Sequence, residues 1–263
     1  MTTLPDFLAR PGPSAWHRLN PLTKLVVSAG TSVAAVALGG ITPSLTLLIV
    51  AVLVPAAAAG MLRPVLRTTV VLALPLATSA AIVNLLFFPG GQTVLVRLGP
   101  VAATAEGVAF ATAIVLRVVV IAGAVTLFHG ATRTSELVLD LERRGVSHRI
   151  VFVAASAVST VPAMVERARV ITAAQRARGL DTEGSLLRRV RGIVPIVGPT
   201  ILGAVGEVEE RSMALEARGF TRPGRRTLLW EPADSPRQRA ARWLMVVLVI
   251  VACLVPAAGI RLP

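Results

Sequence analysis

The sequence predicts an all-α, polytopic membrane protein with about five transmembrane helices and a cytoplasmic domain of amphipathic helices. Hydrophobic residues make up 54% of the 263 residues, and the mean hydropathy is +0.73. The charged residues cluster between long uncharged runs, whereas a soluble domain of this length carries charge throughout. This pattern predicts several segments that span a lipid bilayer.

The first two spans lie in one uncharged run, residues 25–62. As a helix this run would extend roughly 57 Å at about 1.5 Å per residue. A bilayer core is about 30 Å thick, so the run must cross twice. Gly39, Gly40 and Pro43 mark the turn, because glycine permits unusual dihedral angles and proline starts a helix well. The predicted spans are residues 25–39 and 44–62.

Three further spans follow. The third covers residues 68–88 and ends at Pro89-Gly90-Gly91, the fourth covers 107–128 and is interrupted only by Arg117, and the last covers 243–260. Residues 1–24 lack the apolar core and small-residue cleavage site of a signal peptide. The predicted organisation is a cytoplasmic N-terminal segment (1–24), transmembrane helices one to four (25–132), a cytoplasmic coupling-helix domain (133–242) and the last transmembrane helix (243–263).

The basic residues predict the orientation in the cell membrane. Of 27 lysines and arginines, 19 lie in residues 133–242, and with a cytoplasmic N-terminus only Arg97 and Arg261 fall outside. Two shorter uncharged runs, residues 150–165 and 192–206, are interpreted as buried or interfacial helices. If both crossed the membrane, the seven arginines between them would lie outside, against the positive-inside rule.

Several kinds of chemistry are missing. The single lysine, Lys24, is not in a phosphate-binding loop motif, and His17, His129 and His148 are far apart in the sequence. We therefore expect no enzyme, metal site or cofactor. The chain has no tyrosine, and its few other aromatic residues lie mostly in or beside apolar runs, so nucleic acid is not an expected partner.

An internal repeat stands out in the predicted cytoplasmic domain. Residues 174–180 read AQRARGL and residues 214–220 read ALEARGF, so Ala-Arg-Gly recurs at an offset of 40. Both segments could simply end helices, because arginine favours the last turn and glycine the position after it, as in Arg144-Gly145. Alternatively, each helix end presents one arginine to a partner, and the small alanine lets that partner approach closely. The residues alone leave both interpretations open.

Two apolar stripes precede these motifs at helical spacing. The first stripe consists of Met164, Ala168 and Ile171, and the second of Ile201, Val205 and Val208. The two stripes either pack on each other or contact a partner. Within the fourth span, Arg117 costs about 2.5–3.5 kcal/mol to insert, so it should face protein. We interpret it as a structural tie with Asn84 as a candidate partner; a substrate site is the alternative.

With these motifs the sequence resembles the transmembrane (T) component of energy-coupling factor (ECF) transporters, the CbiQ-like family. The lead-in HRLNPLTK (residues 17–24), Arg117 and the first coupling segment at residues 137–146 resemble the family as well. Two features depart from it: Ser159 stands where arginine is common, and residues 130–133 (GATR) replace a Thr-Thr pair.

The resemblance implies a coupling role. Each Ala-Arg-Gly motif would dock on one of two cytoplasmic ABC ATPase subunits, and the two stripes would contact a separate substrate-binding membrane subunit, the S component, for uptake of a vitamin or metal ion. The docking residues would be Ala177, Arg178 and Gly179, and Ala217, Arg218 and Gly219.

Three other readings remain. The permease of an ordinary ABC importer also contacts ATPases, but normally through a single Glu-Ala-Ala-type loop. A membrane enzyme of lipid or cell-wall metabolism would need clustered acids or histidines on one membrane face. A passive membrane scaffold would purify without ATPases.

Overall fold

The computed structural model describes residues 14, 16–88, 93–98, 101–179, 186–222 and 234–257. The described residues fall into two compact units, one within Met1–Asp140 and Pro232–Pro263, the other within Leu141–Glu231. Nearly all of them are helical, which confirms the predicted all-α class; one short antiparallel hairpin is the exception in the described ranges.

The elements follow one another in a simple order. The first unit begins with α1, continues through a broken helix made of α2, a π-helical segment and α3, and then has α4, a two-stranded hairpin and α5. In chain order the bounds are α1 Pro21–Leu38, α2 Ile41–Leu47, the π segment Leu48–Leu53, α3 Val54–Ala58, α4 Leu62–Leu86, β1 Val94–Leu98, β2 Val101–Thr104, α5 Ala105–Ala131, α6 Thr134–Arg143, α7 His148–Ala177, α8 Leu186–Ala217 and α9 Pro236–Ala257.

The predicted turn between the first two spans is present. Gly39 and Gly40 separate α1 from α2 with φ angles of 59° and 71°, values that L side chains rarely adopt. The second span is one helix widened over the π segment. Pro55 explains the widening, because it cannot donate to the carbonyl four residues earlier and its ring would clash with that group in a regular α-helix.

Helix α5 is the centre of the first unit, with α4, α1 and the α2–π segment packed against it. Small residues make the close contacts possible. A β-carbon at Gly123 would lie 2.8 Å from Cγ1 of Val52, which is buried in the main apolar cluster, and one at Gly30 of α1 would lie 2.9 Å from Cε of Met245 in α9. Such close approach of helices is typical of membrane proteins.

Six helices of the described chain are long and apolar enough to cross a membrane, judged by length and composition alone. Five of them match the five predicted spans. The sixth is α7, where the uncharged run 150–165 is extended at both ends by residues of the same continuous helix. The run was predicted to be a buried or interfacial helix because of the positive-inside rule. The helix that contains it is longer than the run, and the side of the membrane reached by each end of α7 stays a prediction.

In the second unit α7 and α8 form an antiparallel pair. The Arg167 Nη2 atom of α7 lies 2.7 Å from Oε2 of Glu207 in α8. Phe220, just after α8, packs its ring on His148 and Phe152 at the start of α7, with ring centroids 4.8 Å apart in both pairs. The end of α8 therefore lies beside the beginning of α7.

The units divide at Asp140 and Pro232, whereas the predicted domain boundaries are 132/133 and 242/243. Contacts explain the difference. Asp140 of α6 is bonded to Asn20, and Arg242 of α9 is bonded to Thr23, so both belong with the transmembrane helices.

Candidate coupling site

The two Ala-Arg-Gly motifs end two helices in the same way. Helix α7 ends at Ala177 and is followed by Arg178 and Gly179, and α8 ends at Ala217 and is followed by Arg218 and Gly219. The glycines have φ angles of +89° and +70°. We call residues 177–179 the Arg178 tip and residues 217–219 the Arg218 tip.

Hydrogen bonds show why glycine is needed at these positions. The Gly219 amide donates to the Glu216 carbonyl (2.9 Å) and the Phe220 amide to the Leu215 carbonyl (3.0 Å), which is a Schellman motif. The Gly179 amide makes the corresponding 3.0 Å bond to the Arg176 carbonyl. A side chain is strained in the left-handed conformation that closes each helix.

The third Arg-Gly pair ends α6 identically. Gly145 has φ +96°, and the Val146 amide donates to the Leu141 carbonyl (3.2 Å). Helix termination therefore accounts for the glycine in all three pairs. A cation is also favoured at a helix C-terminus, but the three arginines differ in their contacts. Arg144 has an interaction partner, whereas Arg178 and Arg218 are exposed and pair with no residue of the described chain.

Each tip is an open, small-residue surface around one cation. Ala177, Gly179, Ala217 and Gly219 are all exposed, so the backbone beside each guanidinium is accessible to a partner. An unpaired arginine with a planar fork is suited to a bidentate contact with a carboxylate.

The antiparallel packing separates the tips. The Arg218 tip lies next to Phe220, which contacts the first turns of α7, while the Arg178 tip lies at the far end of that 30-residue helix. At about 1.5 Å per residue, the two arginines are up to about 45 Å apart. The two tips therefore form two separate surfaces rather than one composite site.

The Arg218 tip is anchored by contacts that the sequence did not reveal. Phe220 is clamped by His148 and Phe152, and the His148 Nδ1 atom lies 2.7 Å from Oε1 of Glu142 in α6. The only signal was the large apolar residue that follows each Ala-Arg-Gly motif. Its counterpart Leu180 lies outside the described residues.

A charged cluster holds α7 and α8 together. The carboxylate of Glu207 forms a salt bridge with Arg167 of α7 and a second one, 2.5 Å long, with Arg211 of its own helix. Gly203, one turn before Glu207, lets the Arg167 side chain lie along α8, since a β-carbon there would be 3.6 Å from Nη1. The face of α8 that meets α7 is therefore polar.

The two predicted stripes have different surroundings. Ile201, Val205 and Val208 lie on the side of α8 opposite Gly203 and Glu207, with 53%, 51% and 66% of their surfaces exposed. The residues Met164, Ala168 and Ile171 are half-buried, on the same face of α7 as Arg167. The α8 stripe (Ile201, Val205, Val208) is thus unpartnered in the described chain, and the α7 stripe is partly covered.

Arg117 and Asn84 are not paired, so Asn84 is not the candidate partner of Arg117; the structural role of Arg117 stays a prediction. The Asn84 amide donates to the Ala80 carbonyl of its own helix at 2.8 Å. Asn84 also lies level with Gly107, ten residues or about 15 Å along α5 from Arg117. The Arg117 guanidinium instead lies beside the turn at Gly39, where a β-carbon would be 3.2 Å from Nη2. Its buried Nε has no partner among the described residues.

Within the described ranges no group of three or more His, Cys, Asp or Glu side chains lies close enough to hold a metal ion.

The chain is similar in sequence to known transport proteins. The model of the family CbiQ, described as cobalt transport protein, matches residues 12–228. The energy-coupling factor transporter transmembrane protein EcfT of Thermosediminibacter oceani is 26% identical over 223 residues, which cover 80% of this chain and 82% of the relative. EcfT of Heliobacterium modesticaldum is 31% identical over 66% of this chain and 68% of its own length.

A third relative has a different organisation. A putative ABC transporter ATP-binding protein of Bifidobacterium longum is 31% identical over 227 residues, 82% of this chain but only 29% of the relative. The family match extends from the lead-in to α1 across both tips. The chain therefore belongs to the CbiQ family and is a multi-pass membrane component of an energy-coupling factor transporter.

Proposed function

We propose that this chain is the coupling subunit of its transporter, which transmits ATP-driven motion from two cytoplasmic ABC ATPases to a separate S component that binds a vitamin or a metal ion. The observation that carries the proposal is the pair of exposed arginines at the ends of α7 and α8, neither of which pairs with a described residue. Two attachment points up to about 45 Å apart suit two ATPase subunits.

Similarity to an ATP-binding protein supports the choice of partner. The Bifidobacterium longum relative is named for ATP binding, and the region similar to this chain is less than a third of it. The present sequence lacks a phosphate-binding loop motif. We infer that ATP is hydrolysed by other subunits and that this chain receives the resulting motion.

The proposed docking is electrostatic and directional. Each arginine would enter a groove on one ATPase and meet acidic side chains, while the adjacent alanine and glycine allow the groove walls to approach. When the ATPases close on ATP, the two tips would be driven towards each other. The Arg167–Glu207 pair and the Phe220 contacts would couple the movement of α7 to that of α8.

The α8 stripe is the better candidate for contact with the S component. Its three side chains are more than half exposed and face away from α7. Large exposed apolar residues in a row mark interaction surfaces. The α7 stripe contributes at most the uncovered parts of Met164, Ala168 and Ile171.

Purification tests the proposed assembly. The tagged full-length chain is extracted from host membranes in mild detergent, and co-purifying proteins are identified by mass spectrometry. We expect two ABC ATPase subunits and one small membrane protein per chain. Recovery of the chain with no ATPase would contradict the proposal and favour a passive scaffold.

Cysteine labelling tests the proposed orientation, with the N-terminus in the cytoplasm. Cys253→Ser removes the one native cysteine, and Val96→Cys, Arg149→Cys and Arg178→Cys are then introduced singly. We expect a membrane-impermeant maleimide to label position 96 in intact cells, and positions 149 and 178 only after permeabilisation. Labelling of position 178 from outside would show that α7 crosses the membrane and would overturn the docking proposal.

A further inference from the structure

The first unit contains a group of buried polar side chains that lies apart from the two tips. It consists of Asn20, Thr23 and Lys24 at the start of α1, Asp140 of α6 and Arg242 of α9, which are each at most 7% exposed. Burying polar and charged groups is costly unless they are paired. Such a group at one end of an otherwise apolar helix bundle requires an explanation.

Asn20 connects three helices. Its Oδ1 accepts the Leu22 amide at 3.0 Å and so caps α1, while its Nδ2 donates to Oδ1 of Asp140 at 2.9 Å. Its backbone amide donates to Oε1 of Gln238 in α9 at 2.8 Å. Asp140 is fully buried and has further interactions of its own.

Lys24 holds the end of α5. Its Nζ donates to the carbonyl of Ala131, the last residue of α5, at 2.8 Å, and to the His17 carbonyl at 3.1 Å. The last carbonyls of a helix lack partners within the helix and carry partial negative charge, so a buried cation is well placed there. Burial, and secondly the charge of Lys24, lower the pKa of His17 below 6.5.

Arg242 completes the attachment of α9. It donates to Oγ1 of Thr23 at 2.8 Å and makes two 3.0 Å bonds to the carboxylate of Asp234. The first turn of α1 is thus the place where α5, α6 and α9 are all tied by polar groups.

The position of these bonds along the chain is informative. Ala131 is the last residue of the α5 span, and Asp140 is the last residue before the chain enters the second unit at Leu141. Lys24 and Asn20 therefore fix both ends of the segment that leads from the transmembrane helices towards the coupling helices. Apolar residues could pack the same helices without the desolvation cost, whereas specific polar bonds define one geometry.

We propose that Asn20, Lys24 and Asp140 form a clasp that fixes the base of α6 to α1, so that movement of the coupling helices is passed to the transmembrane helices. The inference rests on the proposed coupling function. The three are positioning residues, and their expected effect is on transmission rather than on ATPase binding.

The test uses the complex with its co-purified ATPases in lipid nanodiscs, on the Cys253→Ser background. Two reporters are compared, Arg222→Cys beside the Arg218 tip and Val96→Cys in the hairpin of the first unit. The rate of maleimide labelling is measured with and without Mg-ATP and vanadate. We expect both rates to change with nucleotide when the clasp is intact.

Asn20→Asp breaks the clasp with minimal local change, since aspartate also caps helices but places a second carboxylate against Asp140. We expect the nucleotide response at position 96 to fall by about fivefold or more, the lower end of typical coupling free energies. The response at position 222 and the bound ATPases should be retained. Adding Asp140→Asn lets position 140 donate a hydrogen bond to the carboxylate at position 20, and it should restore the nucleotide response at position 96. Ser32→Ala, which removes a bond within α1 alone, is the control.

The possible failures are distinguishable. An unchanged response at position 96 in Asn20→Asp would overturn the clasp and leave the coupling function standing. If Asn20→Asp lost the response together with protein level and bound ATPases, the clasp would also be overturned, because that result would indicate a purely structural role. If neither reporter responds to nucleotide in the intact complex, the proposed function itself is refuted, and the clasp with it.

Discussion

Arg178→Glu or Arg218→Glu is expected to weaken attachment of one ATPase subunit by about 2–5 kcal/mol, or roughly 30-fold to several thousand-fold in Kd. The substitution removes a cation from the proposed acidic groove and puts a carboxylate in its place. Both arginines are exposed and pair with no residue of the described chain, so the fold should be unaffected. The measurement is ATPase retained per chain on purification, with the protein level in the membrane as the internal reference.

Arg237→Glu supplies the matched control. It makes the same charge change on an exposed residue of α9 that belongs to neither tip. We expect this control to retain ATPase within about twofold of the unsubstituted chain, because the interaction of exposed charges is screened. Equal losses in all three variants would indicate a general effect of charge and contradict docking at the tips. Normal retention in Arg178→Glu and Arg218→Glu would reject the role outright.

The glycines and the arginines of the tips should respond differently. Gly179→Ala or Gly219→Ala disturbs the left-handed residue that ends the helix, so we expect each change to reduce folding stability first. The arginine changes spare that geometry. This separation follows from the three Arg-Gly helix ends, where hydrogen bonding explains each glycine but leaves Arg178 and Arg218 unexplained.

Much of the transmembrane fold was predictable, because the physical cause is local in the sequence. Uncharged runs of sufficient length and the Gly39-Gly40 turn each depend on residues close together in the chain. The length of α7 was not predictable in this way. Charged residues such as Arg149, Glu166 and Arg167 end the uncharged run but are good helix formers, so the helix continues through them.

Contacts between distant residues were the part that the sequence could not supply. Asn84 was chosen for Arg117 by chemical type, but the register between α4 and α5 puts them at different depths. The Asn20–Asp140 bond joins residues 120 apart, and no periodicity marks it. The tips were found because the motif is repeated, whereas Phe220 stacking on His148 depends on antiparallel packing that only the structure reveals.

Val205→Glu and Val208→Glu are expected to release the proposed S component while both ATPases remain bound. A carboxylate introduced at the centre of an apolar contact would be buried without a partner, at a cost of several kcal/mol. The structure also separates this outcome from a loss of folding. Both side chains are more than half exposed, so a charge there remains solvated when the partner is absent. The measurement is the ratio of S component to ATPase in the purified complex.

Met213→Glu is the matched control, because Met213 is 63% exposed on the same helix but lies on a different side from the α8 stripe. It introduces the same charge at the same kind of exposed apolar residue, and the S component should stay bound. If Met213→Glu released the S component as completely as the stripe variants, contact would not be confined to the stripe. If Val205→Glu kept its S component and lost thermal stability instead, the stripe would be packed within the chain. A selective loss in the stripe variants alone would mean that one helix receives the ATPase at its end and carries the substrate-binding subunit on its side.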